Sequence, residues 1–304
     1  MTMSEKRTYP YFPGCTLATT ARGFAASGEA AARALGMELV ELPQWNCCGA
    51  TFPLAVDNLM TLLAPTRVLV NARKEGGDLA TLCSICYHVL KRTNHFLREE
   101  PEKRERITLF LEEAYNGEVR VLHFLEILRD ELGFEALSQR VERRLEGLRV
   151  APYYGCLLLR PYDEIGLDDP EAPAILDDFL ASLGCEVVDF PHKTECCGAY
   201  LLTRSPEVPV EMSHGILDSA ARQGAEALVT SCPLCQFNLD HRQEEMARQH
   251  AGFTPVPVFY FTQLLAIALG LEPETFDLEG HKVDPRPLLE RKGLWWSPCP
   301  CRAP

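Results

Sequence analysis

The chain is 304 residues long, 46% apolar and 24% charged, which suits two folded domains with their own cores and excludes a disordered polypeptide. Its formal net charge of −13 argues against nucleic acid as a partner, because phosphate backbones demand a basic surface. The opening residues carry no apolar stretch behind their charges, and the longest apolar run, 256–271, is interrupted by Pro257, Thr262 and Gln263; no secretory signal and no transmembrane segment are expected, and a cytoplasmic location is.

Strand and helix signals alternate along the chain. Residues 9–12 form a short apolar strand ending at Gly14 and Cys15. A helix is expected over 22–35, with Phe24, Ala31 and Leu35 on one face and Gly36 closing its end. Residues 37–42 alternate as a strand, which Pro43 stops just before Cys47, Cys48 and Gly49. A second helix lies within 57–74, with Pro65 as a candidate break. Residues 78–82 give a buried strand that delivers Cys83, a helix follows over 87–97, and a strand at 119–122 with a helix at 124–132 completes the unit.

The second half repeats the first. Residues 36–43 match 184–191, 79–83 match 228–232, and 119–124 match 256–261. The boundary falls in the charged stretch 140–147, giving an N-terminal domain 1–145 and a C-terminal domain 146–304. The acidic, proline-containing stretch 163–173 is expected as a loop, and 101–116 as a solvated helix private to the first half. This order predicts an α/β protein of two tandem Rossmann-like domains, each a parallel sheet with right-handed crossovers, related by an internal repeat and a pseudo-twofold axis.

Ten of the thirteen cysteines obey the same repeat. Between Cys15 and the doublet Cys47-Cys48 lie 31 residues, and 34 more separate the doublet from Cys83 and Cys86; between Cys156 and Cys196-Cys197 lie 39, and again 34 separate that doublet from Cys232 and Cys235. Each cysteine lies where a strand ends and a helix begins, the edge at which open parallel sheets bind ligands and where helix N-termini favour thiolates. A disulfide framework fits small secreted chains, so metal ligation is the expected role. Zinc and a cubane cluster each need four ligands, so five per half leave either one thiol free or one bridging within a cluster of another shape. Sulfur-only ligation selects iron–sulfur clusters or zinc. Gly49 and Gly198 let backbone approach such a group closely. Cys185 stands where the first half has Met37 and is expected in the core, while Cys299 and Cys301 belong to a loosely ordered tail. His192 and Lys193 flank the second doublet as candidate proton donors, Gln44, Trp45 and Asn46 flank the first, and Arg22, Arg160, Lys193 and Arg204 are cations near the cysteine loops.

The pattern Cys15…Cys47-Cys48-Gly49…Cys83-x-x-Cys86, repeated as Cys156…Cys196-Cys197-Gly198…Cys232-x-x-Cys235, resembles the CCG-domain family, and within it the catalytic B subunit of the CoB–CoM heterodisulfide reductases. The resemblance runs over nearly the whole chain and includes the stretch 232–240. It implies two noncubane [4Fe-4S] clusters, each held by one quintet of cysteines, facing each other across a cavity where a disulfide is reduced. It also implies two partners, the iron–sulfur C subunit and the flavin-carrying A subunit of such a complex. Other members of the family serve quinone-, fumarate- or 2-hydroxy-acid-linked complexes in electron transfer, a second expectation here; a zinc-stabilised scaffold is a third.

Overall fold

The computed structural model describes residues 7–50 and 58–295. The expectations for Cys299, Cys301 and the opening residues lie outside the described residues.

Two four-stranded sheets form, one in each half. The first comprises β1 (Arg7–Tyr11), β2 (Met37–Glu41), β3 (Asp78–Thr81) and β4 (Arg120–His123); the second comprises β5 (Arg149–Pro152), β6 (Glu186–Val187), β7 (Ala227–Thr230) and β8 (Val258–Tyr260). The strand orders are β2-β1-β3-β4 and β6-β5-β7-β8, with every pairing parallel. A parallel sheet is covered by helices on both faces, which is why β7 and β8 are buried along their whole length.

Pro65 does not break the second helix. It sits in the first turn of Leu63–Lys74, where its missing N–H has no helical partner to lose. The helix after β3 begins earlier than its periodicity indicates, as Ser84–Glu99, because Cys83 is an extended elbow and Cys86 already occupies the first turn. Its counterpart in the second half, Pro233–Gln236, widens into an i→i+5 turn at Phe237–His241. Residues Pro101–Leu111 form a helix whose Leu109 and Phe110 are exposed. Residues 163–173 are mostly irregular, with one short helix at Tyr162–Ile165.

The halves pack reciprocally. Helix Arg22–Ala34, which follows β1, lies on Phe261–Ala268, which follows β8; helix Ile175–Ser182, which follows β5, lies against Phe124–Ile127, which follows β4. Phe24 stacks on Tyr260 with centroids 4.3 Å apart, and the Ser27 and Thr262 hydroxyls meet at 2.6 Å. Phe261 also touches Phe124 and Phe179, so one aromatic cluster fastens both crossings. Residues 139–148, between the sheets, are strapped to both halves: Arg140 donates to Leu35 O at 2.7 Å, and the Leu145 N–H to Leu183 O at 3.0 Å.

Candidate metal centre

The loops behind β1, β2 and β3 bring the first five cysteines together. Cys15 and Cys47 have sulfurs 3.7 Å apart, Cys48 and Cys86 3.9 Å, while Cys47 also meets Cys48 and Cys86 meets Cys83. In the second half Cys197 lies 3.5 Å from Cys235, Cys235 meets Cys232, and Cys156 meets Cys196. Cys15 and Cys47 are exposed and Cys156 and Cys196 half-buried, whereas the other six are buried. Among the described residues no three donors converge closely enough to grip one metal ion. In the first half these contacts link all five sulfurs in one chain; in the second they form a group of three and a pair.

Each quintet is also prepared for negative charge. Gly49 and Gly198 take left-handed φ of 85° and 76°, turning their N–H groups onto the sulfurs of Cys47 (3.4 Å) and Cys196 (3.3 Å). Hydrogen bonds among the thiols divide the charge unequally: Cys47 and Cys86 hold Cys48 low, to about 4, and Cys156 holds Cys196 low, to about 6, while Cys47, Cys86, Cys156 and Cys235 are themselves pushed up. Two further glycines pack against sulfur. A Cβ on Gly14 would lie 2.6 Å from Cys86 Sγ, and one on Gly155 3.4 Å from Cys235 Sγ. Both immediately precede the first cysteine of their quintet, so the repeated Gly-Cys pair is the signal that marks them.

The two quintets adjoin across the interface. Ser84, next to Cys83, donates its N–H to Ser231 O at 3.0 Å, and its hydroxyl lies 2.6 Å from that of Ser231, next to Cys232. Ser84 and Ile85 of the first half join all five cysteines of the second in lining one small pocket of about 20 Å³. Burial, then the charges of Cys232 and Cys83, pushes the Tyr260 phenol well up, so it stays protonated in reach of both groups. Neither the serines nor Tyr260 repeats in the other half, and no sequence pattern marks them.

The flanking residues point elsewhere. His192 is exposed on its loop. Lys193 pairs with Asp189 at 2.9 Å and Asp177 at 3.4 Å, while its carbonyl accepts the N–H groups of Tyr154 (2.9 Å) and Gly155 (3.3 Å). Arg160 braces the second doublet loop through Thr194 O at 3.2 Å. Asn46 anchors the first doublet by donating to Ala64 O at 3.0 Å, and Trp45 donates to Glu41 at 2.8 Å. Cys185 lies in the core, its thiol pushed up to about 12 by burial.

The family model of the CCG cysteine-rich domain matches this chain twice, over residues 9–91 and 150–240. The chain belongs to that family. Among its relatives is the 8-methylmenaquinol:fumarate reductase membrane anchor subunit of Wolinella succinogenes, 33% identical over 92% of this chain and 98% of that protein. Another is the B subunit of the ferredoxin/F(420)H(2)-dependent CoB-CoM heterodisulfide reductase of Methanosarcina acetivorans, 30% identical over 90% of this chain and 92% of the relative. A hypothetical protein from Helicobacter pylori shares the fold, with a TM-score of 0.74 at 13% identity; the match covers 92% of this chain and 52% of that one. Both CCG relatives are named as subunits of reductases, which supports a redox subunit within a larger complex. Among the described residues no helix is long and apolar enough to cross a membrane.

Proposed function

We propose that this CCG protein is the catalytic iron–sulfur subunit of a heterodisulfide reductase-like complex. Two noncubane [4Fe-4S] clusters fit its donor set, one held by Cys15, Cys47, Cys48, Cys83 and Cys86, the other by Cys156, Cys196, Cys197, Cys232 and Cys235. The supporting observation is the adjacency of the quintets, joined through Ser84 and Ser231, with the second quintet lining a pocket that Ser84 and Ile85 of the first half also wall. When bound, such clusters supply single electrons, so a pair of them matches the two electrons, with two protons, that convert a disulfide into two thiols. The chain's own part is to hold ten thiolates in place, to direct the Gly49 and Gly198 N–H groups at them, and to keep water from the six buried sulfurs. Electrons would arrive through an iron–sulfur C subunit, itself supplied by a flavin-carrying A subunit. Reconstituted protein with such a partner should reduce a disulfide, and Cys48→Ser or Cys197→Ser should each abolish turnover; full activity in both refutes the mechanism.

The Wolinella relative favours a second reading, a relay protein in a quinol- or fumarate-linked complex. Quinol-dependent reduction of the bound clusters, with no disulfide turned over, would select it.

A further inference from the structure

In each half the segment behind the first cysteine crosses to the Cys-x-x-Cys helix of the other half, and the two crossings differ. In one, residues 157–174 close over helix Ser84–Glu99: His88 Nδ1 meets Leu157 O at 3.0 Å, and Arg92 grips the Glu164 carboxylate through hydrogen bonds of 2.7 and 2.9 Å. Counted on from Cys83 and Cys232, His88 and Arg92 correspond to Phe237 and His241. These face residues 16–21, a much shorter segment, and no ion pair joins the two sides among the described residues. The helix widens at this point, Phe237 turns outward, and a cleft of about 510 Å³ stays open.

The cleft is a ligand-sized space between the halves. Its walls include Thr16, Arg22, Leu202, Phe237, Tyr260 and His281. Thr16 adjoins Cys15, and Pro233 and Leu234, which lie between Cys232 and Cys235, also line the cleft, so its floor backs onto both quintets. Arg22, exposed at the rim, makes no ion pair among the described residues. Asp277 shares the wall but accepts the Glu279 N–H at 3.1 Å and lies out of ion-pair reach of Arg22. A free guanidinium beside aromatic and aliphatic walls is suited to a small organic anion.

We infer that this cleft is the one-sided entrance to the paired sulfur sites and that it binds small organic oxyanions through Arg22, its pseudo-symmetric twin being sealed by residues 157–174. This goes beyond the disulfide reading, since it concerns the charged end of a ligand, whatever bond is reduced. The test is calorimetric titration of the holoprotein with 3,3′-dithiodipropionate, with suberate as its sulfur-free isostere, and with neutral bis(2-hydroxyethyl) disulfide. Both dianions should bind, and Arg22→Gln should weaken them about tenfold while sparing the neutral disulfide. Leu202→Trp, which adds bulk to the cleft wall without changing charge, should weaken suberate binding as well. Suberate affinity unchanged by Arg22→Gln, undiminished in Leu202→Trp, or absent from the unaltered protein overturns the inference. Suberate held through Arg22 by a protein that turns over no disulfide sustains the inference and sinks the disulfide reading instead.

Discussion

Gly14 and Gly155 form a matched pair in which one substitution should remove a metal site and the other should not. Both occupy left-handed backbone, at φ 74° and 65°, so alanine at either costs about 1–2 kcal/mol of strain. They differ in what the added methyl meets. At Gly155 it would stand 3.4 Å from Cys235 Sγ, an ordinary contact, whereas at Gly14 it would stand 2.6 Å from Cys86 Sγ. Restoring an ordinary contact displaces the Cys86 sulfur by roughly 0.8 Å, several times the ~0.2 Å tolerance of a metal–ligand bond. Gly155→Ala should therefore melt about 2–8 °C lower yet keep its full iron, while Gly14→Ala should melt similarly lower and lose the iron of the first half. Iron per chain after anaerobic reconstitution, measured beside thermal melts, separates the two. Equal iron in both variants would refute the reasoning that places Cys86 against Gly14 as a cluster ligand.

Cys48→Ser and Cys197→Ser should each leave about half the iron, because the quintets are separate; loss of all of it from either variant contradicts that separation. Phe24→Ala removes a buried ring stacked on Tyr260 and should cost about 3–5 kcal/mol in urea denaturation, whereas Tyr260→Phe should cost much less, its hydroxyl reaching Gln236 only at 3.4 Å. Burial holds His123 down at about 3, against an ordinary 6.5. As pH falls the unfolded chain takes up that proton first, so the stability His123 contributes is complete above pH 6.5 and drains away toward pH 3. His123→Asn keeps an acceptor for the Leu125 N–H and removes the titration; it should lose about 3 kcal/mol less than the unaltered chain between pH 6.5 and 4, and equal losses would contradict the assignment.

The ten motif cysteines, the alternation of strands and helices, and the relation of the halves were legible because each is local and written twice. Pro65 misled only about continuity, since its effect depends on where the first helical turn begins, and local sequence leaves that open. The widened turn at Phe237–His241 has no counterpart at that place in the first half, and the bridge between the halves joins Ser84 and Ser231, which do not repeat; both are set by contacts between segments far apart in the chain. Adjacency to the second doublet left the direction of His192 and Lys193 undetermined; Lys193 turns to Asp177, whose approach depends on the packing of helix Ile175–Ser182. Arg22 was visible as a cation near a cysteine loop. Its cleft was not, because the cleft arises from the difference between two crossings and not from any residue in them.

The most direct measurement is a count of iron and acid-labile sulfide on chain purified without oxygen. Two four-iron cores predict about eight of each per chain in a brown protein, falling to about half when either Cys48 or Cys197 is replaced. A colourless protein carrying zinc, or one whose iron is unaffected by either replacement, would contradict a pair of quintets each built around its own core.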